Sequence, residues 1–146
     1  MRFVIVALLL APLALSTPAR AAPGEEAARR SAEVFVRALT TADASKLRPI
    51  LPSRGKVQLQ LVNLGPEKGY FSGSQVEALI REFLSQGSIR SVEPFRVEPG
   101  RRGYAVMHTR VELTNRQGRP CSAELHLALQ PEGERWVLRE IRETPR

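Results

Sequence analysis

Few side chains in this sequence can carry proton-transfer or covalent chemistry. There are two histidines, His108 and His126, one cysteine, Cys121, and one aspartate, Asp43. The acid of most interest is Glu140. Alternation along the last apolar segment puts it on the side of Trp136 and Leu138. With Thr109 and Leu125 from two preceding segments it forms a row with two polar side chains on an otherwise apolar face. A carboxyl buried there has a raised pKa, because burial disfavours the anion, and can serve as a general acid or base. A one-residue bulge near Arg139 gives the opposite result. It turns Glu140 outward and brings Ile141 in, which suits their hydrophobicity better.

The remaining reactive residues read as structural. Asp43 falls where a short helix begins. Ser72, in Gly69-Tyr70-Phe71-Ser72-Gly73, lacks the Gly-x-Ser-x-Gly pattern of a nucleophile elbow and reads as a helix cap. No glycine-rich phosphate loop or dinucleotide fingerprint occurs. His108 and His126 fall opposite one another on two paired strands, facing out. Only Glu124 or Glu112 offers a third metal ligand, and the spacing is not that of a zinc site, so no metal or cofactor is assigned. Cys121 reads as a small buried hydrophobe and, being single, forms no internal disulfide.

The elements that position these residues follow from periodicity. Ala28, Ala32, Phe35, Val36 and Leu39 recur at helical spacing over Glu25 to Thr40. A short second helix is expected over Ala42 to Arg48, capped by Thr41 and ended by Pro49 and Pro52. Lys56 to Val62 alternates as a half-buried strand, and Asn63 to Gly69 is a loop. Ser72 with Gln75 makes a capping box, and Phe71 with Val76 a hydrophobic staple, for a helix whose apolar face is Val76, Leu79, Ile80, Phe83 and Leu84. Gly87 stops it.

Four antiparallel strands complete the chain. A turn about Gly100 pairs Val97 with Ala105 and Phe95 with Met107. A turn about Gln117-Gly118 pairs Met107 with Leu127, Thr109 with Leu125, Val111 with Ala123, Leu113 with Cys121, and Arg110 with Glu124. A two-residue turn at Glu132-Gly133 pairs Leu129 with Trp136 and Leu127 with Leu138. Helices covering the apolar face of such a sheet make an α+β domain.

The first residues read as an address. Arg2 precedes an apolar run from Phe3 to Leu15, broken only by Pro12, and Ala19-Arg20-Ala21 supplies the small residues of a cleavage site. The run is short of the roughly 20 apolar residues that span a membrane. Residues 1–21 are therefore expected to be a signal peptide, with one domain over 22–146, exported to the periplasm or secreted. No cysteine follows the apolar run and no arginine pair precedes it, so neither a lipid anchor nor the twin-arginine route is expected. The chain carries a formal charge of +7, with its arginines scattered among glutamates. Without aromatic and basic residues interleaved, this reads as a solvated basic surface rather than a nucleic-acid platform.

Three stretches carry a family resemblance: Ala38-Leu39-Thr40-Thr41-Ala42-Asp43-Ala44-Ser45-Lys46-Leu47; Tyr70-Phe71-Ser72-Gly73-Ser74-Gln75 leading to Phe83-Leu84; and Arg135-Trp136-Val137-Leu138-Arg139-Glu140-Ile141-Arg142. They resemble the nuclear transport factor 2-like superfamily and, within it, a small exported family called domain of unknown function 4783. The resemblance covers most of residues 28–143 and implies a cone-shaped curved antiparallel sheet with N-terminal helices packed on its concave face. The superfamily includes isomerases, dehydratases and binding or dimerisation modules, so the fold implies no single activity. Its isomerases pair a pocket carboxylate with a tyrosine-like partner.

The expected function is an exported module, without catalytic activity, that binds a small ligand or a protein partner. Its pocket would be lined by Tyr70, Thr109, Leu125, Trp136 and Glu140. The outer sheet face, with Tyr104, Val106, His108, Arg110, Glu124 and His126, is a candidate homodimer surface. The alternative is a lyase or isomerase using Glu140.

Overall fold

Charge is distributed along the first helix as its dipole favours. The computed structural model describes residues 23–65 and 68–146. It places α1 over Pro23–Thr40, with Glu25 and Glu26 in the first turn and Arg37 in the last. The leader expected over residues 1–21 lies outside the described residues. Arg30 pairs with Glu26 and Arg29 with Glu33, each at 3.7 Å, and these pairs mark the solvent face. The opposite face buries Ala28, Ala32, Phe35, Ala38 and Leu39.

A 3-10 helix follows over Ala44–Ile50, and both its ends correct the sequence reading. Thr41 is not the cap, because its hydroxyl donates backward to the Arg37 carbonyl at 2.7 Å. The cap is Asp43, which accepts from the Ser45 amide at 3.1 Å and the Ser45 hydroxyl at 2.5 Å. These bonds, the hydroxyl's above all, hold the Asp43 carboxyl below its ordinary range. Pro49 lies inside the helix rather than ending it, since proline's fixed φ suits the 3-10 geometry.

Helix α2, Gly73–Gln86, begins with the expected box: Ser72 Oγ accepts from the Gln75 amide at 3.4 Å, and Gln75 Oε1 accepts from the Ser72 amide at 2.9 Å. Val76, Ile80 and Phe83 are buried, with Leu79 and Leu84 packed at the margin. Arg48 grips the buried Glu77 with two bonds of 3.0 Å, and Arg81 binds the same carboxylate. This fork ties α2 to the 3-10 helix and holds the Glu77 carboxyl below its usual range.

Among the described residues seven strands form one sheet: β1 Val57–Gln60, β2 Gly69–Phe71, β3 Ser88–Val92, β4 Arg96–Pro99, β5 Ala105–Thr114, β6 Pro120–Glu132 and β7 Arg135–Pro145. Their order is β2-β1-β7-β6-β5-β3, with β4 also on β5. All pairs are antiparallel except β1 with β7, which is parallel. The sheet curves around α1, which touches β3 through β7. This is the α+β cone expected from the sequence, with helices on the concave face.

The segment before Gly100, expected as one strand, is two. Pro94 has no amide to donate, and β3 and β4 pair separately with β5 on either side of Glu93–Phe95. The β5–β6 register is as expected throughout, including Thr109 with Leu125 and Arg110 with Glu124. The β4–β5 register is shifted by two: Val97 faces Met107 and Pro99 faces Ala105. Arg102 and Gly103, at φ +57 and +75, move the turn centre beyond Gly100. The β6–β7 register also differs, with Leu129 facing Leu138 and Glu132 facing Arg135. A bulge then follows, so that Ala128 pairs with Glu140 and Leu127 with Ile141, leaving Arg139 as the extra residue.

Replacing Ser72 by alanine removes one half of the box that starts α2 and is expected to cost about 1 kcal/mol, measured by urea denaturation. Thr41→Ala is expected to leave the 3-10 helix start intact.

Candidate functional site

The bulge determines which acid enters the cone. Glu140 pairs with Ala128 on one side and Gln58 on the other, on the outer face, with Arg142 Nε 3.9 Å away. The inward reading of Glu140 is therefore corrected, and the bulge reading holds. Two residues beyond Ile141, Glu143 turns inward instead, opposite Leu125, and is 4% exposed. Its row partner on β5 is Thr109. The expected row of Thr109, Leu125 and an acid exists, with Glu143 in the place foreseen for Glu140.

Glu143 is fully engaged. Oε2 accepts from the amides of Val62, Asn63 and Leu64 at 2.8, 2.8 and 3.1 Å, and Oε1 from Asn63 Nδ2 at 2.7 Å. Three successive amides converging on one oxygen form an anion nest, here filled by the protein's own side chain. The Thr109 hydroxyl donates to the Glu93 carbonyl at 2.8 Å, and Ser31 on α1 donates to the Trp136 carbonyl at 2.8 Å. Around them Phe35, Leu39, Met107, Leu125 and Leu127 are at most 2% exposed.

The expected pocket set is not gathered. Thr109 and Leu125 are buried in mid-sheet, whereas Tyr70 is 61% exposed on edge strand β2, on the same outer row as Glu140. Trp136 stands at the rim. It lines one cleft of about 250 Å³ with Val34 and Ile50, and another of about 270 Å³ with Gly24, Pro99 and Tyr104. No tyrosine and carboxylate face one another inside the cone among the described residues.

The outer-face set is gathered. Val106, His108 and Arg110 alternate along β5 with Tyr104 just before them, and His126 and Glu124 on β6 stand opposite His108 and Arg110. The two imidazoles meet edge to face with centroids 4.5 Å apart. Burial pushes the His126 imidazole down, with His108 and Arg142 acting in the same direction and Glu124 and Glu140 against. A cleft of about 410 Å³ opens here, walled also by Glu93, Pro94, Arg96 and Glu98. The Arg96 and Glu98 wall was not foreseen, because it depends on the β4–β5 register. Among the described residues, no three histidine, cysteine or acidic side chains gather to hold a metal ion. Cys121 is half-buried, and burial first, then Glu143 and Glu112, pushes its thiol up, leaving it a poor nucleophile.

A curved, open, mostly antiparallel sheet wrapped around a first helix is the nuclear transport factor 2-like fold, and solved structures match it. No family model and no curated protein matches the chain. A domain of unknown function 4783 family protein from Bacteroides uniformis is 16% identical with a TM-score of 0.59, over 78% of this chain and 95% of that one. A proposed isomerase from Bacillus subtilis is 10% identical with a TM-score of 0.68, over 86% of this chain and 90% of that one. A proposed dehydratase of the nuclear transport factor 2-like family from Streptomyces avermitilis is 12% identical with a TM-score of 0.63, over 84% of this chain and 95% of that one. At these identities the likeness establishes the fold.

Glu143→Ala strands three amides around a buried site and is expected to cost about 3 kcal/mol in urea denaturation, whereas Glu140→Ala on the outer face is expected to change stability by less than about 0.5 kcal/mol. Equal effects would contradict the assigned orientations.

Proposed function

We propose that this chain is an exported binding module that uses the outside of its cone and carries no catalytic machinery within it. The filled interior carries this reading. Helix α1 and the sheet pack Phe35, Leu39, Met107 and Leu127 against one another, and Glu143, the buried acid of the sheet's inner face among the described residues, is held by the 62–64 amides. A general acid or base needs a proton-carrying group free to meet a substrate. Glu140, the residue on which a lyase or isomerase would depend, faces away from the interior. The likeness to a proposed isomerase and a proposed dehydratase brings the fold and no catalytic residue.

Export rests on the leader pattern of residues 1–21. Among the described residues no helix is long and apolar enough to cross a membrane. Self-association is the form of binding with a specific observation behind it. Val106 and Ala128 face each other on the outer side, next to the Tyr104 position, and give that face an apolar centre among arginines, glutamates and histidines. A surface holding both signs of charge around an apolar centre is complementary to its own copy under two-fold rotation.

Native mass spectrometry of the protein recovered from the exported fraction tests both parts. The expected species begins at Ala22 and is a dimer that Val106→Glu converts to monomer. A chain retaining residues 1–21 overturns export as proposed, and a wild-type monomer at micromolar concentration overturns self-association.

A further inference from the structure

One row of the outer face has a composition that packing does not demand. Arg142, His126, His108 and Arg96 occupy paired positions on β7, β6, β5 and β4. Neighbouring strands lie about 4.8 Å apart, so four basic or protonatable side chains stand in one line. Arg110 occupies the next row and, with Arg96, His108 and His126, lines the 410 Å³ cleft.

Arg110 is the unusual member. Its Nε is buried and has no hydrogen-bond partner among the described residues. Its contact to an acid is a single 3.4 Å approach of Nη1 to Glu93. Glu124, its cross-strand neighbour, is bound by Arg146 instead. The side chain as a whole is 37% exposed, so its Nη groups, held by that one long contact, are what an arriving acceptor meets.

We propose that this cleft binds a small ligand bearing one carboxylate or phosphate group, with Arg110 as its anchor and His108, His126 and Arg96 as flanking donors. The proposal rests on the outer face being the binding surface. The planar fork of a guanidinium matches either oxyanion. Glu93, Glu98 and Glu124 line the same cleft and limit the charge it accepts, so a single anionic group fits and a polyanion is repelled. Binding is linked to protonation. His126 is surrounded by His108 and Arg110 on β5, Arg96 and Glu98 on β4, Glu124 on its own strand, and Arg142 and Glu140 on β7. Burial and the cationic neighbours favour its neutral form. An anion in the cleft favours the imidazolium, so the bound pKa lies above the free one and affinity rises as pH falls through the histidine titration.

The chain has only two histidines, so proton NMR of their ring hydrogens reads the cleft directly. Titration of the purified protein in chloride is compared with acetate and with inorganic phosphate at equal ionic strength. At least one anion is expected to raise a histidine pKa by about half a unit, a roughly threefold preference for the imidazolium. Arg110→Gln is expected to abolish the shift and Arg96→Gln to reduce it. A shift with acetate alone identifies a carboxylate ligand, and one with phosphate alone a phosphorylated ligand. Identical curves in all three salts, or a shift that persists in the folded arginine variants, overturn the proposal. Should Arg110→Gln fail to fold, Arg96→Gln decides: a reduced shift supports the site and an unreduced one overturns it. The cleft shares the face proposed for self-association, so the titration is run at a concentration at which native mass spectrometry shows the monomer: identical curves there overturn the ligand site, and the mass measurement alone decides self-association.

Discussion

The extra residue at Arg139 governs the arrangement of the last strand. Before it, Leu138 pairs with Leu129; after it, Ile141 pairs with Leu127, and the inward parity has moved by one. Strand side chains alternate strictly, so without the bulge Ile141 would face outward and Glu140 would enter the apolar layer, at a cost of several kcal/mol unless paired or protonated. The bulge is itself secured: Arg139 donates to Gln130 at 3.0 Å and to the Arg54 carbonyl at 2.9 Å. These bonds fasten the loop before β1 to the hairpin and keep the kink in place.

The same parity change builds the junction at the far end of β7. With Ile141 in, Glu143 is in as well, and its carboxylate gathers the amides that follow β1. Parallel pairing of β1 with β7 brings Leu59 beside Ile141, which delivers those amides to Glu143. Parallel pairs lack a short hairpin to set their register. A charge-assisted nest supplies what a turn supplies elsewhere, so one acid inside the sheet fixes the position of an edge.

Legibility in the sequence followed the strength of local constraint. The β5–β6 ladder was readable because apolar and polar residues alternate along most of both strands, with Val106, Ala128 and Thr109 the exceptions between Ala105–Leu129 and Leu113–Cys121, and a slip by one would invert both faces. The capping box of α2 was readable because Ser72 and Gln75 each need the other's backbone. The β4–β5 turn was misplaced because a slip of two residues preserves parity, and only the backbone at Arg102 and Gly103 distinguishes the registers. Strand β2 has three residues and an exposed tyrosine, too little pattern to detect. Both orientations of Glu140 could be stated from sequence, and hydrophobicity favoured the outward one. Carried two residues further along the strand, the same bulge sends Glu143 inward.

The inner and outer faces divide the polar groups in a way that bears on function. Inside, each has a near partner: Ser31 with the Trp136 carbonyl, Thr109 with the Glu93 carbonyl, Glu143 with its amides. The alanines at 28, 32 and 38 bring α1 close to the sheet, which leaves little room for a guest among the large apolar side chains. Opening a pocket there would forfeit packing and release hydrogen bonds together. On the outer face, Arg110 has an unpaired donor and a single long contact to an acid, and burial favours the neutral form of His126. Binding energy comes most readily from groups whose free state is unfavourable, because contact then relieves a cost rather than replacing an existing bond. By that criterion the outer face holds the groups that gain more from a new contact than those of the interior do.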